Sequence, residues 1–261
     1  MDKMFSTPAE IYTGMVNTGV AKSKLSILKM IVLGILAGAY IGFGAYGFIA
    51  FIAGTTLDPS LAKYIGAAIF PVGLMMVVIG GAELFTGNCL MTLAIMDKKI
   101  TWMQMLRNWL FVYIGNIIGS YLLAWIISST GLMSDAIVTK VTAIATMKVG
   151  LSFGVAVLRA ILCNILVVLA VWLAAGAKDV VGKVFAILFP IALFVFCGYE
   201  HSVANMFFIP LAQFSGAAIT TGAMWLNNIL PVTLGNIIGG AAIIPICYQI
   251  AYGAKKEKPQ A

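Results

Sequence analysis

The sequence predicts an all-α membrane protein with six transmembrane helices arranged as two inverted three-helix repeats. Three observations support this prediction. Hydrophobic residues make up 62% of the 261 residues and charged residues only 10%, which leaves too little polar surface to cover a water-soluble domain of this size. Six apolar stretches are long enough to cross a bilayer, for which about 20 residues suffice. Finally, short motifs of the first half recur in the second half.

The predicted elements follow one another along the chain. Residues 1–25 are expected to form an amphipathic surface segment with Thr7 as the helix cap. The first three-helix repeat is placed at 26–128 and the second, inverted repeat at 148–252, with a basic tail at 253–261. The predicted spans are 26–53, 63–96, 102–128, 148–176, 182–210 and 228–252.

Polar residues interrupt the second and fifth spans. The second span contains Glu83-Leu84-Phe85-Thr86-Gly87-Asn88, and the fifth contains Gly198-Tyr199-Glu200-His201-Ser202 and polar residues as far as Asn205. Unwound backbone is tolerated at membrane depth only where protein buries it or a cavity wets it. Interruptions at corresponding positions of two halves therefore indicate a pathway near the middle of the bilayer.

Three features recur in the two halves at similar offsets. Gly115-Asn116-Ile117-Ile118-Gly119 recurs unchanged after 120 residues, a Glu-x-x-x-x-Asn spacing recurs after 117, and Lys29 is matched with Lys148 after 119. Each half holds an odd number of spans, so the second half must enter the membrane from the opposite face. The Gly-x-x-x-Gly spacing itself predicts close packing between helices.

The charges indicate an orientation and exclude one class of partner. The basic residues stand between apolar runs, and they do not form a patch with aromatic side chains. This argues against nucleic-acid binding despite the net charge of +7. If the helices alternate, most cations fall on the side of the chain ends, while Lys63, Lys140 and Lys148 fall on the other. The positive-inside rule then predicts a multi-pass protein of the inner (plasma) membrane with both termini cytoplasmic.

Two residues in the interruptions are the first candidates for function. His201 is the only histidine of the chain. It is either a satisfied buried side chain or a titratable group on the pathway, and its expected depth in the membrane favours the second interpretation. The hydroxyl of Thr86 is either a hydrogen-bonding group on the pathway or bonded to its own backbone. Both alternatives remain open for Thr86.

The other polar residues of the spans have structural alternatives. Glu83 and Glu200 would form a proton relay or would accept hydrogen bonds from backbone N–H groups freed by the broken helices. The second interpretation is favoured, because each unpaired backbone group costs several kcal/mol in hydrocarbon, and Asn88 and Asn205 are interpreted in the same way. Arg159 pairs with a carboxylate or carbonyls, or adds positive potential to the pathway. The four cysteines show no metal-ligand spacing, so neither a metal nor a cofactor is predicted.

The two interruptions, extended to Val203-Ala204-Asn205-Met206, together resemble the paired signature of the formate/nitrite transporter family. The resemblance continues through Arg107-Asn108-Trp109 and Leu162-Cys163-Asn164 and covers essentially the whole chain. It implies an aquaporin-like six-helix protomer that assembles into a homopentamer in the lipid bilayer, with one pore in each protomer. The implied substrates are small monovalent anions of weak acids: formate, nitrite or hydrosulfide.

The resemblance also implies roles for individual residues. It places a histidine opposite a threonine at the pore centre, apolar constrictions on either side, and a lysine that attracts anions at each mouth. The implied residues are His201, Thr86 and Asn164 at the centre, Leu74, Leu84 and Phe85 at the cytoplasmic constriction, Phe70 and Phe194 at the external constriction, and Lys22 and Lys148 at the mouths.

A mechanism follows as a hypothesis from these expectations. A bare anion loses its hydration in an apolar neck, at a cost of many kcal/mol. Lysines at the mouths would raise the local anion concentration, and transient protonation at His201 would convert the anion to its neutral acid. Protons are therefore a predicted partner beside the anion. The segment 1–25 is either a lid over the cytoplasmic mouth or a membrane-surface anchor.

Two other classes of function are weighed against this hypothesis. An aquaporin-like pore for small neutral solutes would be expected to show paired Asn-Pro-Ala motifs, and neither interruption contains one. An intramembrane enzyme using Glu200, His201 and Ser202 is disfavoured, because adjacent residues on one helix point in different directions and no second histidine accompanies them. The chain is therefore predicted not to be an enzyme. The choice among anions is left open, with formate and hydrosulfide favoured.

Overall fold

The structure is a computed structural model that describes residues 5–253, and within this range the chain is helical apart from loops and an isolated bridge between Phe5 and Ala177. Residues 254–261 of the predicted basic tail lie outside the described range. With continuous segments joined, the helices are α1 (Pro8–Ser23), α2 (Ile27–Gly54), α3 (Pro59–Gly80), α4 (Phe85–Met96), α5 (Trp102–Ser129), α6 (Asp135–Val149), α7 (Phe153–Gly176), α8 (Val180–Cys197), α9 (Ser202–Phe214) and α10 (Thr221–Tyr252).

Six of these helices, α2, α3, α5, α7, α8 and α10, are long and apolar enough to cross a membrane, which confirms the predicted fold class. The second and fifth predicted spans are each divided into a long helix and a half helix. The breaks lie at residues 81–84, between α3 and α4, and at 198–201, between α8 and α9. They are shorter than predicted, because Phe85–Asn88 and the residues from Ser202 onward are already helical.

A glycine ends each of the two interrupted spans. Gly81 terminates α3 with φ of 85°, and Gly198 terminates α8 with φ of 74°. Residues with a Cβ are strained in this left-handed conformation, whereas glycine adopts it freely. The two glycines are 117 residues apart, which is also the separation of Glu83 and Glu200. Each break is therefore made in the same way.

The two halves pack by the same close approach of helices. A Cβ added at Gly38 or Gly119 would meet a backbone carbonyl oxygen across the contact between α2 and α5. A Cβ added at Gly235 or Gly239 would meet a carbonyl oxygen of α7, against which α10 lies. These glycines act in packing, as the Gly-x-x-x-Gly spacing predicted.

One helix was not predicted, and it changes how the repeats match. The helix α6 precedes α7 as α1 precedes α2, and the predicted boundary at 148 falls near its end. The match of Lys29 with Lys148 is wrong. Lys29 is exposed in the first turn of α2, whereas Lys148 lies in the last turn of α6, as Lys22 lies in the last turn of α1. The helices α1 to α5 therefore correspond to α6 to α10.

The helix α1 begins with the predicted cap and packs onto the transmembrane helices. The hydroxyl of Thr7 accepts a hydrogen bond from the backbone N–H of Glu10, and the Glu10 carboxylate accepts one from the backbone N–H of Thr7. Ile11, Met15 and Val16 are buried. Their apolar area stabilises the docked position of α1.

A hydrogen bond joins α1 to the end of α4. The Tyr12 hydroxyl donates to Asp97 Oδ1 over 2.7 Å and also contacts Gln249 of α10. Burial, together with the Asp97 carboxylate, raises the pKa of Tyr12 above its usual range, so the hydroxyl keeps its proton at neutral pH. Because Tyr12 and Gln249 meet, α1 and the end of α10 share one side of the molecule, here named the terminal face; the side that carries α6 is named the far face.

Candidate functional site

The two breaks meet at the centre of the molecule. The Thr86 hydroxyl and Nε2 of His201 are 2.9 Å apart, and both residues are buried. Thr86 lies in the first turn of α4, and His201 is the residue that caps α9. The N-terminal ends of two half helices are thus directed to one point, where their dipoles favour negative charge. The structure therefore places His201 directly against Thr86, the arrangement that the resemblance implied.

Two asparagines of the repeated Gly-Asn-Ile-Ile-Gly motif, for which only a packing role was predicted, hold the breaks in shape. Oδ1 of Asn116 accepts from the backbone N–H of Phe85 over 2.9 Å, and its amide donates to the carbonyls of Gly34 and Glu83. These bonds satisfy backbone groups that the first break leaves without helical partners. The unchanged recurrence of the motif marked the two asparagines as a matched pair, but it did not indicate these backbone partners.

Asn236 repeats this arrangement in the second half. Its Oδ1 accepts from the backbone N–H of Ser202 over 2.9 Å, and its amide donates to the carbonyls of Ala160 and Glu200. Asn236 is fully buried, as Asn116 is. The two asparagines therefore support the breaks by matching hydrogen bonds.

A polar cluster lies beside the first break, toward the terminal face. Nζ of Lys22 is 2.6 Å from Oε1 of Glu83, and the Asn88 amide donates to Oε2 of Glu83 over 2.7 Å. The same amide donates to Asn108, whose own amide donates to the carbonyl of Lys22. We name these four residues the terminal-face cluster.

The second half repeats this cluster bond for bond. Nζ of Lys148 donates to Oε1 of Glu200 over 3.0 Å, and the Asn205 amide donates to Oε2 of Glu200 over 2.6 Å. The Asn205 amide also donates to Asn228, which donates to the carbonyl of Lys148. These four residues form the far-face cluster.

The clusters correct the interpretation of the carboxylates. Glu83 and Glu200 were expected to accept hydrogen bonds from freed backbone N–H groups, but they accept from lysine and asparagine side chains. Asn116 and Asn236 bind the freed backbone instead. Sequence spacing identified the repeated Glu and Asn residues but not their partners, because those partners come from other helices.

Two cavities enter the molecule from opposite faces and are separated by apolar side chains. The far-face cavity has a volume of about 430 Å³ and is lined by Phe70, Phe194 and His201, among others. The terminal-face cavity has a volume of about 410 Å³, and Leu74 and Leu84 line it. The rings of Phe70 and Phe194 lie edge to face with centroids 5.6 Å apart. Between the cavities the apolar neck consists of these four side chains.

Hydrogen bonds define the tautomer of His201. The backbone N–H of Ala204 donates to Nδ1 over 3.0 Å, so Nδ1 carries a lone pair and the ring proton is on Nε2. Nε2–H then donates to the Thr86 hydroxyl. The ring stacks on Phe194, with centroids 5.9 Å apart and an angle of 16° between the planes. His201 therefore presents a neutral N–H donor beside the apolar neck.

The remaining predicted residues have different surroundings. Phe85 lines neither cavity; its ring packs on Trp109 and Tyr113. The Asn164 amide donates to the backbone carbonyl of Thr86 over 3.3 Å. Asn164 therefore fixes the backbone at Thr86. Arg159 is half-buried, and its guanidinium forms neither an ion pair nor a hydrogen bond with residues 5–253.

Titratable groups outside the clusters provide no metal site in the described part of the chain. Histidine, cysteine, aspartate and glutamate side chains among residues 5–253 do not form a group of three that would hold a metal ion. Cys89 and Cys163 are buried, whereas Cys197 and Cys247 are exposed.

Comparison with known proteins agrees with this geometry. A family model described as "Formate/nitrite transporter" matches residues 9–250. A relative named "Probable formate transporter" from Methanothermobacter thermautotrophicus is 41% identical over 274 aligned positions, which cover 97% of this chain and 99% of the relative.

Two solved structures are similar over most of the chain. One is described as "Pentameric formate channel with formate bound"; it is 33% identical with a TM-score of 0.77, over 87% of this chain and 97% of that one. The other is described as "FNT family ion channel"; it is 31% identical with a TM-score of 0.85, over 93% of this chain and 98% of that one. These similar proteins are transporters and channels, not enzymes.

Proposed function

Because the chain belongs to the formate/nitrite transporter family, we propose that it is a channel through which formate, nitrite and hydrosulfide cross the membrane. The observation that carries this proposal is the pair of cavities on opposite faces, separated by a short apolar neck with one imidazole N–H and one hydroxyl at its centre. A cavity on each face gives a small hydrated solute access to the neck from both sides.

The neck determines which form of the substrate passes. Phe70, Phe194, Leu74 and Leu84 offer no hydrogen bonds from their side chains, so a bare anion there would lose hydration without compensation. The neutral weak acid carries no charge and avoids most of this cost. Anions that accept a proton at accessible pH are therefore the class of substrate that fits the neck, whereas chloride does not fit.

We assign to His201 the role of a neutral hydrogen-bond donor in this passage. His201 and Thr86 are bonded to each other, and a passing molecule would exchange this bond for bonds to itself. Transient protonation of His201, the hypothesis drawn from the sequence, would require Nδ1 to take a proton and lose its bond from Ala204. It would also place a cation at the N-terminus of α9, which the helix dipole disfavours.

Uptake by proteoliposomes tests the function. We expect formate, nitrite and hydrosulfide to enter faster as the external pH falls, because the fraction of neutral acid rises, and chloride to be excluded. Uptake of acetate, which is larger than formate by a methyl group, is measured in the same way. A purified protein that carries none of the three anions at any pH from about 5 to 8 contradicts the proposal.

The variant His201→Asn separates the two roles of the histidine. Its amide donates a hydrogen bond but does not titrate. The donor role predicts flux within about tenfold of the unmodified protein and an unchanged pH dependence, since a weakened hydrogen bond costs about 1.4 kcal/mol or less. Loss of the pH dependence, with the protein still folded, would support proton transfer through the imidazole. Thr86→Val serves as the matched variant, because it removes the partner hydroxyl and retains the shape.

The surroundings of the channel are part of the same proposal. Exposed apolar side chains on the spanning helices, such as Leu158 and Leu226, suit contact with lipid or with neighbouring protomers. Similarity to a pentameric channel supports assembly of five copies, each with its own pore. The loop charges support an inner-membrane location with the terminal face in the cytoplasm, which makes the far face external.

A further inference from the structure

A single buried amide connects the two breaks. Nδ2 of Asn164, on α7, donates to the backbone carbonyl of Thr86 over 3.3 Å and to that of Asn236 over 2.7 Å. The side chain of Asn236 in turn binds the backbone of the second break on either side of His201. One path of hydrogen bonds therefore runs from Thr86 to the backbone that carries His201.

The first half has no amide at the corresponding position. The matching bonds of Asn116 and Asn236 to the neighbouring helices set the correspondence: residues of α7 follow their α2 counterparts by 126, and residues of α10 follow their α5 counterparts by 120. Gly38 therefore occupies the place of Asn164. A Cβ at Gly38 would lie 2.2 Å from the carbonyl oxygen of Asn116, so the packing of α2 on α5 leaves no room for a side chain there.

A glycine of α10 makes the room for Asn164. Gly240 corresponds to Ser120 of α5, and a Cβ at Gly240 would lie 2.1 Å from Nδ2 of Asn164. Gly240 also lies in a π-helical turn, Ile238–Ile243, whereas α5 is α-helical throughout. Such turns are rare and often occur at functional sites. The second half is thus built around an amide where the first half has a glycine and a hydroxyl.

The amide is retained although it carries an energetic cost. Asn164 is fully buried, and its two carbonyl acceptors fix the orientation of the amide, so Oδ1 is left without a hydrogen-bond partner among residues 5–253. A buried acceptor without a partner destabilises the fold. Glycine would avoid this cost, as Gly38 does in the first half. Helix packing alone therefore does not account for the amide.

The bridge through Asn164 limits how far the centre can open. Thr86 and His201 are bonded directly, at 2.9 Å, so a passing molecule has to part them. They belong to different half helices, and the bonds of Asn164 and Asn236 tie the backbone of one to the backbone of the other. Buried residues in a close-packed interior resist such a separation. The width of the open centre thus depends on Asn164, although Asn164 lines neither cavity.

We propose that Asn164, held against Gly240, determines the size of the acid that the channel admits. It keeps Thr86 close to His201, so that formic acid, nitrous acid and hydrogen sulfide pass, whereas acids with a larger carbon skeleton are held back. This inference rests on the proposed function. Asn164 is a positioning residue, since it binds the backbone of Thr86 and acts on the pathway through it.

The test compares uptake of labelled formate and acetate by proteoliposomes at about pH 6, where part of each acid is uncharged. Uptake by protein-free liposomes is subtracted. In Asn164→Ala the ratio of formate to acetate uptake should fall about tenfold relative to the unmodified protein, because the two lost hydrogen bonds no longer oppose a wider opening. The pH dependence of formate uptake should not change. A merely structural loss would lower both rates in proportion and leave the ratio constant.

A second variant displaces the amide without removing it. In Gly240→Ala the new Cβ meets the end of the Asn164 side chain, which can move, so the protein should fold and show the same fall in the ratio. The double variant Asn164→Ala/Gly240→Ala lacks this clash and should match Asn164→Ala alone. Ser120→Ala is the control. It removes the hydroxyl that contacts the carbonyl of Val203, the counterpart of Thr86, and should leave the ratio unchanged.

Four results would overturn the inference: equal uptake of formate and acetate by the unmodified protein, a constant ratio in both single variants, a double variant that differs from Asn164→Ala, or an equal change in Ser120→Ala. Absence of formate, nitrite and hydrosulfide uptake by the unmodified protein would instead overturn the proposed function itself. Normal formate uptake by the unmodified protein together with any of the four results rejects the role of Asn164 alone.

Discussion

The terminal-face and far-face clusters have the same four residue types and share four hydrogen bonds, to which the far-face cluster adds one from the Asn228 amide to Oε2 of Glu200. They also differ in burial. The side chains of Lys22 and Glu83 are 24% and 9% exposed, whereas those of Lys148 and Glu200 are 9% and 1% exposed. The far-face cluster is also covered by Phe208, whose ring centre lies 5.4 Å from Nζ of Lys148. Duplicated chemistry therefore operates in two different solvent environments.

The breaks differ at a position that has a role in the proposed function. Counting 117 residues from Leu84 of the first break leads to His201 of the second. The elements that shape the breaks, glycine, glutamate and asparagine, are repeated, whereas the imidazole occurs once. The duplicated residues therefore build the scaffold, and the departure from the repeat supplies the donor at the centre.

The largest expected difference between the clusters follows from removing one carboxylate. Glu200→Gln leaves the buried ammonium of Lys148 without a counter-charge and should destabilise the protein by about 3 to 5 kcal/mol. Glu83→Gln should cost about 1 kcal/mol, because Lys22 can reach water. Thermal unfolding of the purified protein in detergent measures both effects.

The control for this prediction removes both charges of the far-face pair. Lys148→Met/Glu200→Gln should recover much of the loss, since no unpaired ion remains. Equal losses in the two single variants would show that the difference in burial has no energetic consequence.

The next prediction concerns the part that the halves share. Asn116→Leu and Asn236→Leu each leave one backbone N–H and two carbonyls without their side-chain partner. Each should lower the free energy of unfolding by about 3 kcal/mol, because buried unpaired groups cost about 1 to 3 kcal/mol apiece. Asn227→Leu, at an exposed position of α10, is the matched control. A large loss in one variant only would contradict equivalent support of the breaks.

A smaller effect is expected at the glycines that end the interrupted spans. Gly81→Ala and Gly198→Ala meet no neighbouring atom within 4 Å, so their cost comes only from the positive φ angle, about 1 to 2 kcal/mol each. Gly80→Ala is also free of contacts but lies within the helix, where alanine should be neutral or stabilising. A loss of stability in Gly80→Ala as large as in Gly81→Ala would remove the conformational explanation.

The smallest effect distinguishes α1 from its counterpart α6. Tyr12→Phe removes the bond to Asp97 and should lower the hydrogen-exchange protection of α1 about fivefold, or about 1 kcal/mol, with α6 unchanged. The pKa of Tyr12 is raised in the folded protein. Its contribution is therefore complete below the unfolded value of about 10 and declines as the pH rises above it. If the hydrogen-exchange protection of α1 changes neither in Tyr12→Phe nor above about pH 10, this contact does not hold α1 in place.

The pairing of His201 with Thr86 was implied only by the resemblance to the family. The spans and the breaks could be predicted from the sequence itself, because they depend on local hydropathy and on recurring motifs. The role of Asn116 could not. Its partners are backbone groups up to 82 residues away in the sequence. No pattern of residue types in the sequence indicates them. The helix α6 was missed because it shares too few residues with α1 to appear as a repeat.

The wrong match of Lys29 has a physical origin in helix length. The helices α2 and α3 have 28 and 22 residues, whereas their counterparts α7 and α8 have 24 and 18, and the loop 177–179 is one residue shorter than the loop 55–58. The offset between corresponding residues therefore falls from 126 at the starts of α2 and α7 to 117 at Glu83 and Glu200. A constant offset of about 119 therefore fails for residues that precede α2 and α7. Lys22 and Lys148, which precede them, are 126 residues apart.

Under the proposed function, the apolar neck between Phe70, Phe194, Leu74 and Leu84 has a thermodynamic consequence for the cell. A passage that admits only the neutral acid moves an anion and a proton together, so each crossing is electrically silent. A membrane voltage of about 100 mV would bias a lone anion by about 2.3 kcal/mol, but it exerts no force on the pair. At equilibrium the anion is distributed according to the pH difference alone, about tenfold for each pH unit. Efflux of a fermentation-type acid through this neck would thus also relieve the proton load on the side it leaves.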